Sequence, residues 1–428
     1  MQSWLPLIVL LGLFFFNVPI AFALIGASLF YFLFIDQTIP AFMVVQHLMT
    51  STQSFPLLAI PFFIMVGSIM NHAGISRAMM HFADTLTGHL TGGLAQVNVL
   101  LSLLMGGISG SANADAAMQS KILVPEMEKR GYGKAFSAAV TASSSAVSPV
   151  IPPGINLIIF ALLANVSVHK MFIAGYTPGI LMAVALLICV AIMSRLRNYK
   201  PSHEKPCSWG ERGHAFVKAI PALLIPFGII LGMRFGMFTP TEAGAIAVLL
   251  CILIGVFGYR ELKFSHFPEI LKDTVLGTAA VMLIIIGAML LGYFMTLEHI
   301  PQSFANALEG VTENKYTLLV LINIMLLLLG MFLEGGAALI IAIPLLMPVI
   351  NNAGIHPIHF GVVMIVNIMI GGITPPFGSM MFTVCSILKV SIQDFVKEVW
   401  PFLLSLIAVL LLLTYWENLA LFLPNALG

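Results

Sequence analysis

Charge is what this chain has least of: Asp, Glu, Lys and Arg make up 9% of 428 residues, where a soluble domain carries about a quarter. That excludes an ordinary water-soluble globule and leaves a polytopic membrane protein. Cysteine is equally sparse. Cys189, Cys207, Cys251 and Cys385 lie far apart without a CxxC or Cys/His spacing, so neither a disulfide framework nor a metal centre is indicated. No GxxxxGK[ST] loop is present, which excludes an ATP-driven pump. The net charge of +1 gives no reason to expect a nucleic-acid partner; the partner that composition implies is the lipid bilayer.

What the chain has instead is long apolar runs, such as residues 4–35, 273–297 and 401–415. A helix needs about 20 apolar residues to span a bilayer, and the alternating pattern of a membrane barrel is missing. The expected fold is an all-α bundle. The first run opens with MQSWLP, lacks a basic stretch before it and a small-residue cleavage site after it, and reads as a retained span.

One polar stretch, RLRNYKPSHEKPCSWGERGH at 195–214, divides the chain near its middle. At a constant offset of 223, Gly107 meets Gly330, Pro125 meets Pro348, Pro152 and Pro153 meet Pro375 and Pro376, and Pro178 meets Pro401. Backbone punctuators that recur at one offset mark an internal repeat. The chain therefore reads as a first repeat (1–194), a linker (195–216) and a second repeat (217–428). Each repeat has three early spans (4–17, 18–35, 54–72; 217–233, 239–258, 273–297) and a short amphipathic helix. A hairpin (about 94–128; 316–353), an interrupted span (about 135–165; 358–388) and a final span follow.

Five crossings per repeat is an odd number, so the second repeat should be inverted. Threading from an outside N-terminus places Arg77, Lys129, Arg130, Lys134, the basic residues from Arg195 to Lys218, Arg260, Lys263, Lys272, Lys389 and Lys397 in the cytoplasm. Lys170, Arg234 and Lys315 fall outside, which satisfies the positive-inside rule with both termini periplasmic. Inverted repeats are the mark of secondary transporters.

Residues 105–121, MGGISGSANADAAMQSK, place small and polar groups where a helix should cross oil. About 13 residues from Gly93 to Met105 give roughly 20 Å of helix, short of a core of about 30 Å. The chain is expected to turn back at GGISGSAN as a re-entrant hairpin, and again at GMFLEGG. Irregular backbone at that depth is tolerated only inside protein or beside a water-filled cavity. SSSAVSPVIPPGIN and GGITPPFGS each put a Pro-Pro pair inside a span, which must break because proline removes a donor and clashes with the preceding turn.

A broken helix offers carbonyls at one end and amides at the other, suited to cations and anions respectively. Ser109, Ser111, Asn113 and Gly154 are the expected oxygen ligands of one sodium ion, with Gly335 and Thr374 for its symmetric partner. Close helix packing through small residues is the bland alternative. Asp115 and Glu334 are intramembrane carboxylates, functional by default unless they only cap a half-helix. Thr239, Pro240 and Glu242 fit a structural capping box, and Lys121 fits a snorkelling side chain.

With the GGISGSANADAA tip and the SPVIPPG and GGITPPFG breaks, the chain resembles, over nearly its whole length, the large membrane subunit of a tripartite ATP-independent periplasmic (TRAP) transporter. The resemblance implies an elevator-type, sodium-coupled importer in a bacterial inner membrane. Its partners would be a separate small four-helix subunit and a periplasmic substrate-binding protein. Among family members it is most similar to those for sialic acid, and the implied substrate is an organic anion with a carboxylate. Asp115, Ser145, Ser148, Asn156 and Ser379 are the expected substrate contacts. Rival readings are a self-sufficient sodium carboxylate symporter, a scaffold, and an intramembrane serine protease built on Gly107-Ile108-Ser109-Gly110; the protease lacks a mid-span histidine base. No enzyme activity and no resident cofactor are expected. Ser109→Ala and Thr374→Ala should each weaken the sodium dependence of uptake with folding intact; unchanged sodium activation in both would reject this ligand set.

Overall fold

The computed structural model describes residues 4–16, 18–50, 52–203, 205–312 and 314–427, with the side chains of 107–109 and 309 also outside the description. Among the described residues every regular element is helical. Among them, eight helices are long and apolar enough to cross a membrane, or nine if the bent pair at 134–163 counts as one span.

The first half opens with α1 (Leu5–Phe15), α2 (Ile20–Phe30), α3 (Ala41–Thr50) and α4 (Ala59–His72). The amphipathic α5 (Ile75–Thr87) leads into a hairpin of α6 (Gly93–Ser109) and α7 (Ala112–Ile122), extended by α8 (Val124–Lys129). The chain then rises through α9 (Lys134–Ser145), breaks, and continues as α10 (Ile155–Leu163) and α11 (Val168–Leu196).

The second half repeats this order: α12 (Trp209–Arg234), α13 (Pro240–Leu253), α14 (Phe267–Leu297), the amphipathic α15 (Ile300–Glu309), and a hairpin of α16 (Lys315–Phe332) and α17 (Gly335–Asn352). A second broken helix, α18 (Pro357–Gly371) and α19 (Ser379–Leu388), is followed by α20 (Ile392–Tyr415) and α21 (Glu417–Leu427).

Both breaks fall at the Pro-Pro pairs. The first bends the helix by 46°, since Pro152 and Pro153 have no amide to offer the preceding turn. Thr239 and Glu242 cap α13 reciprocally, with Thr239 N donating to Glu242 at 2.7 Å and Glu242 N donating to Thr239 at 3.3 Å.

Three local features differ from expectation. Helix α6 runs 17 residues to Ser109, four beyond Met105, although the chain turns at Gly110 and Ser111, inside the GGISGSAN stretch where the turn is expected. Residues 36–53 hold α3, and the C-terminus ends in α21; neither is a long apolar run, so neither stands out by hydropathy. The connection between α11 and α12 shortens because Ser208 and Glu211 form a capping box and start α12 at Trp209. That connection is tied down: Ser202 N donates to Gly88 O at 2.7 Å, Arg130 donates to Ser202 O at 3.0 Å, and Tyr132 Oη donates to Lys200 O at 3.2 Å.

The halves interlock through exchanged partners. Helix α2 packs on α14 and α13 on α4, each a second span of one half against a third span of the other. The broken helices do the same: α9 and α18 lie on their own hairpins, whereas α10 packs on α17 and α19 on α7. In lipid, apolar burial alone does not drive helices together, so close approach and interhelical hydrogen bonds must. Gly330 and Gly371 show the first: a Cβ on Gly330 would stand 2.7 Å from Ile368 O, and one on Gly371 would stand 2.7 Å from Gly330 Cα. Gly330→Val should therefore separate α16 from α18, with a cost of at least about 1–3 kcal/mol typical of overpacking. The check is a thermal unfolding midpoint in detergent several degrees below that of Gly228→Ala, whose added Cβ meets nothing within 4 Å.

Candidate functional site

At the turn of the first hairpin the backbone comes into close contact with the first break. Gly110 has φ +58°, and a Cβ there would lie 3.3 Å from Ile155 N and 3.5 Å from Pro153 O. A side chain would thus be strained and obstructed at once. Ser111 then caps α7, its hydroxyl accepting from Ala114 N at 3.4 Å. Asn113 reaches across the halves, its Oδ1 accepting from Thr383 Oγ1 of α19 at 3.4 Å.

The second turn mirrors this with different chemistry. Glu334 occupies the N-cap position of α17, its carboxylate over the amides of Gly336 and Ala337 without closing a full cap bond. Asn156, the first-half counterpart of Ser379 at offset 223, stands beside this turn: a Cβ on Gly335 would lie 3.4 Å from its Nδ2, which also donates to Met369 Sδ at 3.8 Å.

Both turns and both breaks line one cavity of about 130 Å³. Its wall includes the first residues of four helices: Ala112 of α7, Ile155 of α10, Gly335 of α17 and Ser379 of α19. Helix N-termini carry unsatisfied amides and a partial positive charge, and together favour an anion. Glu334 is the single ionisable side chain among the described lining residues.

Of the residues singled out from sequence, Ser111, Asn113, Asn156, Gly335 and Ser379 meet on this wall. Gly154 lies just behind it, where a Cβ would come within 2.4 Å of Pro149 O. Thr374 points back into its own helix, donating to Ile370 O at 2.7 Å. Ser145 does likewise, donating to Thr141 O at 2.7 Å. The Ser109 side chain lies outside the described residues.

Asp115 is off the cavity wall, at 1% exposure. Its Oδ2 accepts from Ser102 at 2.7 Å, Gln119 at 2.9 Å and Ser148 at 2.9 Å, which binds both arms of the first hairpin to the break. Oδ1 has no partner among the described residues.

Two further polar clamps went unnoticed in the sequence. Asn98 donates to Thr141 at 2.9 Å and accepts from Ser144 at 2.6 Å, joining α6 to α9. Asn367 donates to Asn323 Oδ1 at 2.9 Å, and Asn323 donates to Thr414 at 2.9 Å, joining α18, α16 and α20. The signal was present: a lone asparagine inside an apolar run, as in AQVNVLL and MIVNIMI, must find a partner in the membrane.

A helical membrane protein whose two related halves bring paired hairpin tips and broken helices to one polar cavity has the architecture of a secondary transporter. Comparison with known proteins narrows this. Residues 7–419 match the family model described as "Tripartite ATP-independent periplasmic transporter, DctM component". The chain is 37% identical over 415 residues to the sialic acid TRAP transporter large permease protein SiaM of Vibrio cholerae, covering 97% of this chain and 96% of that one. It is 36% identical over 406 residues to the 2,3-diketo-L-gulonate TRAP transporter large permease protein YiaN of Escherichia coli, covering 94% of each. Among solved structures, the Alcanivorax borkumensis YdaH transporter shares the fold with a TM-score of 0.61 at 13% identity, covering 90% of this chain and 89% of that one. The chain belongs to the DctM family of TRAP transporter large permeases and is a transporter subunit, not an enzyme.

TRAP large permeases work with a small membrane subunit and a periplasmic binding protein. Within this subunit the Asp115 cluster is a mechanical joint. Asp115→Leu leaves the Ser102 hydroxyl without its acceptor, at about 1–3 kcal/mol for a buried group, while Gln119 keeps Ser102 Oγ at 2.6 Å and Ser148 keeps Ser102 O at 3.2 Å. Asp115→Asn keeps one acceptor oxygen. Thermal unfolding should place Asp115→Leu well below Asp115→Asn; equal midpoints would show that the cluster does not hold hairpin to break.

Proposed function

We propose that this chain imports a carboxylate-bearing organic anion, sialic acid, by sodium symport across a bacterial inner membrane, with both termini periplasmic. The anion is handed over by a periplasmic binding protein. The two hairpins are re-entrant, and with the broken helices they move as an elevator against α2, α4, α13 and α14. The observation that carries this reading is the convergence of four helix N-termini and both hairpin turns on one cavity.

Charge bookkeeping favours coupled cations. Each helix N-terminus contributes about +0.5 and each C-terminus about −0.5 elementary charge. The C-terminal ends of α6, α9, α16 and α18 approach the same region, so the partial charges sum to about zero but are separated: amides for the anion, carbonyls for cations. An ionised Glu334 and one substrate carboxylate then leave about two negative charges in one small site. Two sodium ions neutralise them. Ser111 Oγ, Asn113 Oδ1 and the carbonyls at Pro149 and Pro153 offer hard oxygens at the first break. Gly335 and Thr374 belong to the second set.

A cavity of about 130 Å³ takes a carboxylate and the atoms next to it, not a whole nine-carbon sugar acid. The carboxylate therefore docks against Asn156, Ser379 and the helix amides, and the rest of the sugar needs the space that opens when the cavity wall contributed by Val281 and Ile284 of α14 slides away. The sialic acid assignment is supported by the full-length similarity to SiaM; relatives at comparable identity named for isethionate, 2,3-diketo-L-gulonate and C4-dicarboxylate are also named for anions.

The test is uptake of labelled sialic acid into proteoliposomes holding this chain and its small partner, with and without an inward sodium gradient and with and without the binding protein. Uptake that needs both is expected. Uptake with sodium alone would overturn the handover step, and uptake that ignores sodium would overturn the coupling. Transport of another carboxylate in place of sialic acid would reassign the substrate.

A further inference from the structure

A larger cleft lies away from the tips. It encloses about 920 Å³ between α5, the base of the first hairpin and α12, within the size range of ligand pockets. Its interior is apolar: Met80 of α5, Val97 and Ile122 of the hairpin, Val217 and Pro221 of α12. Ile122 and Val217 keep 49% and 62% of their surface exposed. A passage for a hydrated anion gains nothing from such walls, since apolar surface facing water is unfavourable.

Its rim is charged. Its formal charges balance: Arg77 is paired with Glu261 at 2.8 Å, Arg130 lies 3.8 Å from Glu126, and Asp84 lies 2.9 Å from His203. Lys218 also lines the cleft and has no ion-pair partner among the described residues, while its backbone carbonyl accepts from Tyr259 Oη at 2.5 Å. A smaller cavity of about 290 Å³ shares Gly74, Arg77 and Met80 with the cleft and continues to Leu101, Met118 and Gln119. From Val97 to Leu101 this climbs one turn of α6, about 6 Å, towards the tip.

A mouth that keeps one cation, Lys218, without an ion-pair partner among the described residues, and that opens into an apolar slot along a hairpin arm, has the shape of an amphiphile. We propose that this cleft binds a phospholipid of the cytoplasmic leaflet. Its phosphodiester sits on Lys218, and one acyl chain lies between Ile122 and Val217 and extends towards Met118. Basic pockets between membrane helices on the cytoplasmic side are suited to lipid headgroups. The inference uses the cytoplasmic placement of the hairpin base proposed above and is otherwise independent of substrate and sodium. The chain wedged between α7 and α12 makes the lipid part of the surface on which the hairpin rests.

The purified chain with its small partner is reconstituted in phosphatidylethanolamine vesicles carrying phosphatidylglycerol, a trace of it with a diazirine at the acyl terminus, and adducts are mapped after illumination. Adducts on peptides holding Leu101, Met118 or Ile122 are expected, falling at least fivefold in Lys218→Glu and in Val217→Trp, which fills the mouth. Adduct yields no higher than at Leu249, an exposed residue of α13, or unchanged by both substitutions, would overturn the proposal. Ile122→Cys in a Cys207→Ser background supplies a second readout. Slow reaction with a membrane-impermeant charged thiol reagent is expected, whereas rapid reaction would show an aqueous exit path instead. Both readouts report binding and access rather than uptake, so their failure is distinct from failure of the transport reading.

Discussion

The exchange of partners at the two breaks is the contact on which this structure depends. Each Pro-Pro pair ends one arm of a helix and frees the next to leave its own half: α10 for the second hairpin, α19 for the first. Were either helix continuous, its second arm would stay over its own hairpin and the two tips would face separate places. Because both arms cross over, two hairpins, two breaks and four helix N-termini share one cavity. The proline that forbids the helix therefore also assembles the site.

Lipid changes what must hold such an arrangement together. The solvent around the bundle is as apolar as its core, so burial of leucine and isoleucine discriminates little between helix neighbours. Discrimination falls to contacts that lipid cannot imitate. One kind is steric, as where Gly330 and Gly371 let two backbones touch. The other is polar, as where Asp115 gathers Ser102, Gln119 and Ser148, and Asn98 and Asn323 clamp their hairpins to α9 and α18. The asparagine clamps join each hairpin to the first arm of its own broken helix, and Asp115 joins the first hairpin to the break itself. The second arm is what reaches across, so the clamps fix one side of each break and the crossing arm completes the other.

The features legible in the sequence are those written in backbone chemistry. Glycine and proline act locally and irreversibly on φ, ψ and hydrogen bonding, so the breaks at 152–153 and 375–376 and the capping box at Thr239 could be placed to within a residue or two. The end of α6 was placed four residues early, at Met105, because GGIS continues a helix well enough once flanking arms pack around it. Helices α3 and α21 escaped notice since they are short and their apolar faces show only in tertiary context. The site was half legible for the same reason. Ser111, Asn113, Gly335, Asn156 and Ser379 line the cavity because they sit at helix starts next to the breaks, a local property. Asp115 is buried among side chains 13 and 33 residues away in sequence, a relation that only the packed hairpin creates.

The repeat is symmetric in backbone and unequal in charge. At offset 223, Ser111 caps α7 with a neutral hydroxyl and Glu334 stands over the start of α17 with a carboxylate, while Asn156 is matched by the smaller Ser379. Four equivalent N-termini alone would offer an anion two equivalent orientations. The Glu334 carboxylate lowers the positive potential on the α17 side and leaves the α7 side more attractive to a second negative charge. On the proposed anion site, a substrate carboxylate held by Asn156, Ser379 and the helix amides therefore needs a cation beside Glu334 before the two like charges can share so small a volume. Inverted repetition supplies a site accessible in principle from either side of the membrane; one acidic residue at one tip makes the two sides of that site electrostatically unequal.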